Sequence, residues 1–223
     1  MPTVSPLLLA LLAAATATDD GGAPSPTPAT LHSASIAVSS FKVVEQDSGP
    51  VSYYRVITEG DVRMIRSVYR PPLATVVLGA MVPEVARKKV KEISWRWRVH
   101  KLPKDSNDCG PGFSDSGAAV FLFFKSGLKY KILKYVWATT GTVGSFCQSK
   151  RGWFLDRDTI LLAVGGPLDE WKTETVDPRA EFARHFETKL EDVPDFDGVG
   201  LMTDGDQSDS VVESDYADFN VRW

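Results

Sequence analysis

Residues Ile93-Ser94-Trp95-Arg96-Trp97-Arg98-Val99 alternate strictly, apolar at every odd position and polar at every even one. Side chains on a strand point to its two faces in turn, so the run predicts a half-buried strand. Two tryptophans on one face require a large core to receive them. Arg96 and Arg98 fall on the opposite face, where a guanidinium needs a carboxylate partner, and Asp or Glu across the sheet is expected to supply it.

Short, turn-bounded runs of β character recur along the chain. They are Phe41–Val44, Tyr53–Ile57, Arg63–Tyr69, Thr75–Met81, Glu92–His100, Ala118–Phe124, Leu128–Trp137, Thr159–Val164, Gly198–Met202 and Asp218–Trp223. So many strands in one domain imply two stacked sheets. Helical periodicity is scarce: Val82–Glu92 suits a short basic turn or helix. Asp177 and Pro178 open a connecting helix through Phe186, with Asp177 as N-cap and Pro178 at the first helical position. Strands without interleaved helices predict an all-β fold, a two-sheet antiparallel sandwich of jelly-roll type with one short connecting helix.

The chain has 223 residues, 43% of them hydrophobic, which suits one well-filled domain. Leu7–Ala15 is an apolar run ending in Ala15-Thr16-Ala17, the small-x-small pattern of a signal-peptidase site, so residues 1–17 are read as a signal peptide. Residues 18–35, with Pro24, Pro26 and Pro28 among Gly, Ser and Thr, read as a flexible leader, and 36–223 as the single β-sandwich domain. A secreted or periplasmic location follows. No later apolar run approaches the ~18 residues of a membrane span. Cys109 and Cys147, in an oxidising compartment, are expected to form a disulfide worth roughly 3–4 kcal/mol on the chain-entropy model.

Charge is unevenly placed on a chain of net charge −4. Arg87–Lys104 holds eight Lys/Arg against Glu92, whereas Asp192–Asp218 holds nine acids and no base. An exported acidic protein without a nucleic-acid module is a poor polyanion binder, and nucleic acid is set aside as a partner.

Three groups are candidates for a site. In Thr203-Asp204-Gly205-Asp206-Gln207-Ser208-Asp209, alternate residues of a turning loop can converge. Asp204, Asp206 and the Ser208 hydroxyl, with Asp215 as the last carboxylate, offer hard oxygen ligands to calcium. The loop is not an EF-hand, since Asp209 stands where Gly is required; a solvated acidic turn is its plainer reading. The second group is Asp115, in Gly112–Gly117 ahead of a buried strand, which caps a turn, contacts ligand, or pairs with Asp204 or Asp206 as glycosidase carboxylates. The third is the aromatics nearest loops, Trp137, Trp153 and Trp171, whose faces can stack on sugar rings. Core packing competes for Trp137, which lies at i, i+2 from Tyr135, and is expected for Trp95, Trp97 and Trp223.

The run Ile93–Val99, then Leu102-Pro103, Asp115 ahead of Val120-Phe121, and Leu133-Lys134-Tyr135-Val136-Trp137 resembles the bacterial domain-of-unknown-function family 3047. Gly165–Trp171, the Asp177–Phe186 helix, Met202–Asp206 and Tyr216-Ala217-Asp218 continue the similarity, which covers roughly residues 38–223. The resemblance implies an exported β-sandwich related to galactose-binding-like jelly rolls and no established activity. Ser114, Gln207 and Ser208 depart from the acidic and Asn-Thr positions of the family's pattern, leaving Asp115, Asp204 and Asp206 as the matching acids. Cys109 and Cys147 look particular to this chain.

The expected function is therefore a binding module for glycan or cell-envelope material, with a structural calcium at the acidic loop. A carbohydrate-active hydrolase using Asp115 with Asp204 or Asp206, and a purely structural or protein-interaction sandwich, are the alternatives. The reading favours a binding module over an enzyme.

Overall fold

The computed structural model describes residues 31–46, 53–151 and 155–223. The signal segment, the leader up to Thr30 and Trp153 lie outside the described residues.

Two sheets face each other. The first runs β11(Lys172–Val176), β6(Glu92–Lys101), β13(Val212–Arg222), β4(Val62–Tyr69), β3(Tyr54–Glu59), with β1(Ser33–Ile36) also paired to β13. The second runs β2(Lys42–Gln46), β5(Val76–Met81), β12(Asp195–Met202), β7(Ala118–Ser126), β8(Lys129–Ala138), β10(Leu155–Val164), β9(Phe146–Arg151). All pairings are antiparallel except β10 against β8. The sandwich is of the jelly-roll type expected, with this one parallel pair as a refinement.

One boundary differs from the expectation. Strand β1 begins at Ser33, so that 33–35, placed in the leader, join Ile36 in the sheet: Ile36 turns into the core while the strand pairs from Ser33↔Arg222 to Ile36↔Phe219. The Val82–Glu92 segment, read as a short turn or helix, makes turns. The connecting helix α1(Pro178–His185) forms as read: the Asp177 carboxylate accepts from the N–H groups of Arg179 and Ala180, both at 3.0 Å, satisfying donors that the first turn leaves open.

Strand β6 behaves as its alternation dictates. Ile93, Trp95, Trp97 and Val99 are fully buried between the sheets. Trp95 meets Tyr135 with ring centroids 5.5 Å apart, and Trp97 meets Trp137 at 6.0 Å, so the two sheets are joined through their largest side chains. On the outer face Arg98 sits opposite Asp215 of β13 in register, and Arg96 reaches Asp218 at 2.9 Å, the cross-sheet acids that the sequence called for. The α1 ring Phe182 packs on Phe124 of β7 at 4.5 Å, closing one end of the core.

Candidate functional site: a cleft on the seven-stranded sheet

The outer face of a sheet in water is normally polar. Here it is not. Strand β7 sends Ala118, Val120, Leu122 and Phe124 inward, and Ala119, Phe121 and Phe123 outward, where they join Val77, Ile132 and Met202 in a second apolar cluster. This cluster floors an open cleft of about 860 Å³.

Strand register sets the floor. One transverse row is Lys42, Gly79, Gly200, Phe121 and Lys134; the next is Met81, Gly198, Phe123, Ile132 and Arg157. Phe121 and Phe123 lie nearly parallel, 8° apart with centroids at 6.0 Å. Phe123 leans across β12: a Cβ at position 200 would stand 2.7 Å from its Cε2 and 2.9 Å from its Cζ. Gly200 is thus the gap in which the ring rests.

A buried ion pair stands in the cleft wall. Lys134 Nζ donates to Asp108 Oδ2 at 2.7 Å, and the Ser116 hydroxyl donates to the same oxygen at 3.2 Å. Burial, only partly offset by Asp108, holds the Lys134 ammonium below the usual lysine range. Asp108 is carried by the 102–117 loop, which the Cys109–Cys147 disulfide ties to β9. The disulfide expected from sequence is therefore present. At another margin Asp197 is held by Arg87 at 2.9 Å.

The acidic residues gather at the end of the cleft where β12 gives way to its loop. Asp115, Asp204 and Asp206 each place one carboxylate oxygen within 4.8 Å of the others. Asp115 is fully buried and accepts from the N–H groups of Gln207 and Ser208, at 3.1 and 2.8 Å, and from the Ser208 hydroxyl. It fastens the acidic loop to the start of β7. The Thr75 hydroxyl stands 2.9 Å from Asp204 Oδ1 and 3.2 Å from Asp206 Oδ2, bridging them. Burial, then repulsion from Asp206 and Asp115, pushes the Asp204 carboxyl up to about 6.

Several expected site residues lie elsewhere. Asp215 belongs to β13 on the other sheet, where Arg66 (2.8 Å), Arg98 (2.6 Å) and His100 (2.8 Å) occupy its oxygens, so it is not part of the acidic cluster. Ser208 turns to Asp115. Trp137 is fully buried, its indole N–H donating to Gly165 O at 2.7 Å, because the Tyr135/Trp137 face of β8 is the inward one. Trp171 lies on the far sheet with the guanidinium carbons of Arg96 and Arg98 each 4.7 Å from its ring centre. None of these reaches the cleft. Phe121, Phe123, Lys134 and Asp108 do, and they were missed. The signal for them was the unbroken apolar run of β7, which cannot alternate between core and water, together with Gly198 and Gly200 on one face of β12.

Fold and cleft together define a jelly-roll β-sandwich with a ligand-sized, apolar-floored groove on one outer face. The chain belongs to a family described as protein of unknown function (DUF3047), whose model matches residues 51–220. No curated protein matches the sequence. Similar solved structures include the xyloglucanase domain of NopAA, a type three effector from Sinorhizobium fredii in complex with cellobiose (TM-score 0.45, 10% identity, 84% of this chain and 96% of that one). The family 11 carbohydrate-binding module from Clostridium thermocellum, in complex with a β-1,3-1,4-mixed-linked tetrasaccharide, has a TM-score of 0.38, 10% identity and covers of 88% and 90%. Trichoderma harzianum endoglucanase 3 from family GH12 has a TM-score of 0.45, 7% identity and covers of 88% and 99%. Among the described residues no helix is long and apolar enough to cross a membrane.

Proposed function

We propose that the protein is an exported glycan-binding module whose ligand lies in the cleft of the seven-stranded sheet. The observation that carries this reading is the apolar outer face flanked by hydrogen-bonding groups: Phe121 and Phe123 in the floor, with Lys134, Asp206 and Gln207 lining the same cleft. A sugar has the same division, with C–H groups on its ring faces and hydroxyls at its edges. An apolar-floored cleft with a few hydrogen-bonding groups at its margin is the usual make-up of a ligand site. Cell-envelope polysaccharide is the natural ligand class for an exported chain.

The test is a glycan array covering plant and bacterial envelope polysaccharides, followed by calorimetry on its strongest hits. Trp171→Ala, on the far sheet, should keep the wild-type affinity within about twofold, whereas Ile132→Glu in the floor should lose more than tenfold. A blank array for the folded wild-type protein would sink the glycan reading in favour of a protein-interaction module.

The same proposal places a structural calcium at Asp115, Asp204 and Asp206, since a hard cation would offset the repulsion of three converging carboxylates. Calcium at a hundred times its dissociation constant contributes about 2.7 kcal/mol, which raises the melting temperature by roughly 5–10 °C in a domain of this size. Protonation of Asp204 competes with the cation, so the shift should shrink as pH falls below about 6. Identical melting curves in calcium and in chelator would end the metal proposal and leave the cleft reading untouched.

One observation supports hydrolysis as a second reading: Asp204, raised to about 6, has the character of a general acid and stands beside a second, exposed carboxyl group, that of Asp206. Reducing-sugar release from a bound polysaccharide, abolished in Asp206→Asn with binding retained, is the result this reading requires. Asp115, fully buried and engaged by Gln207 and Ser208, is assigned to holding the loop.

A further inference from the structure

We infer that Phe123 and Lys134 form one sugar-ring subsite, face and edge, and that Gly200 is a positioning residue that lets the Phe123 ring lie flat across β12. The inference rests on the glycan reading and names the groups that carry it.

Phe123 projects outward from β7 and is the more exposed ring of the Phe121/Phe123 pair. Outward side chains on a strand stand roughly perpendicular to the sheet. Phe123 leans over its neighbour instead, because β12 offers no side chain at position 200. A Cβ at 200 would meet the ring edge at 2.7 Å, closer than carbon atoms approach without displacement, and a Cβ at 198 would meet Ala80 O at 2.9 Å. Glycine normally weakens a strand interior, so two on one face of a central strand mark a place where something must approach closely. At 198 it is the Ala80 carbonyl of β5; at 200 it is the aromatic ring. Laid flat, it presents a face to the cleft, the geometry on which the C–H face of a pyranose stacks.

Lys134 supplies the edge. Its ammonium is almost fully buried yet lines the cleft, 5.9 Å from the centre of the Phe121 ring, which in turn lies 6.0 Å from Phe123. An ammonium carries three N–H donors, and among the described residues its hydrogen bond goes to Asp108. A buried donor with unspent protons facing an open cleft selects an acceptor oxygen. The ligand chemistry is a pyranose stacked by one face with an acceptor at its edge, either a hydroxyl or a uronate carboxylate.

The probes are cellotetraose, xylotetraose, mannotetraose and tetragalacturonate, titrated calorimetrically against the full-length protein. Stronger binding of tetragalacturonate assigns a carboxylate to Lys134; stronger binding of a neutral tetramer assigns a hydroxyl. Phe123→Ala should weaken the best probe about tenfold, and Phe123→Tyr, which keeps the ring face, should restore it to within threefold. Gly200→Ala should weaken it three- to tenfold by lifting the ring. In the Phe123→Ala background the same glycine change should have no further effect, a coupling that a general packing defect would not produce. A lone buried charge is avoided in the pair Lys134→Gln/Asp108→Asn, which should lose about tenfold while remaining folded by circular dichroism. Undiminished binding by Phe123→Ala, or an additive Gly200→Ala effect, overturns the subsite while the glycan reading stands. Failure of the wild-type protein to bind any of the four probes overturns the subsite as well, and only a blank wider array would take the glycan reading with it.

Discussion

Replacing Asp215 with asparagine should lower the free energy of unfolding by about 3 kcal/mol. The Asp215 side chain has no exposure to solvent and is met by Arg66 on one neighbouring strand and by Arg98 and His100 on the other. Asparagine preserves the shape but removes the charge and replaces one acceptor oxygen with a donor, which would then face cations. The lower end of the usual 3–5 kcal/mol for a broken buried pair applies, because Arg66 is 31% exposed and water screens part of the interaction. Burial alone would raise the Asp215 carboxyl, but the hydrogen bonds from Arg66, His100 and Arg98 outweigh it and hold the group below the usual aspartate range. A carboxyl depressed in the folded state contributes stability that is complete above the unfolded value of about 3.9 and is lost as pH falls through the folded one. Urea unfolding of wild type and Asp215→Asn should therefore differ fully at pH 7 and converge below about pH 4. Equal midpoints at pH 7 would show the outer-face network to be energetically idle.

Removing the disulfide as Cys109→Ala/Cys147→Ala should cost about 3–4 kcal/mol and lower the melting temperature by roughly 10 °C. The sequence separation of 38 residues sets the size of the effect, since the bridge restricts the unfolded chain over that span. The folded loop has other fastenings: Ser106 Oγ accepts from the Thr139 N–H at 2.9 Å, and Asn107 N–H donates to Phe113 O at 2.9 Å. Asp108 should consequently keep its place beside Lys134 in the folded variant, and glycan affinity should change by less than threefold. A large affinity loss with a small stability loss would mean that the bridge shapes the cleft rather than the unfolded chain.

The scaffold was legible wherever one strand carried its own instructions. The alternation of Ile93–Val99 placed two tryptophans inward and two arginines outward, and the cross-sheet acids followed from charge balance. Helix α1 announced its start through Asp177 and Pro178. Strand β13 was harder: Glu213, Asp215 and Asp218 interrupt its apolar pattern, because their partners Arg66, Arg98 and Arg96 lie on other strands and Arg70 just past the end of β4. The acidic end of the cleft was half legible. Asp204 and Asp206 were placed together by their own loop, but Asp115 joins them through a contact with Gln207 and Ser208 from far along the chain. Trp137 is in the core, the reading favoured for it, and Trp171 lies away from the cleft, because the face a tryptophan occupies is fixed by sheet pairing. The cleft floor consists of apolar side chains that include phenylalanines on β7, a strand whose apolar run hides which of its two faces is covered.

The parallel pairing of β8 with β10 bears on how the sheet comes apart. Strand β9 follows β8 in the chain but takes the sheet edge, leaving β10 to pair with both. Strands β9 and β10 are therefore a hairpin of near-neighbour contacts, docked onto the rest of the sheet through β10 alone. Such a unit is suited to lift away as one piece ahead of global unfolding, exposing its amides to exchange with solvent. Cys147 sits in β9, so the bridge to Cys109 staples the hairpin's outer strand to the loop beside Asp108. With the staple closed, the hairpin cannot leave without carrying that loop along. With it reduced, that tie to the loop is gone, and amide exchange in β9 and β10 should quicken relative to β6 and β13.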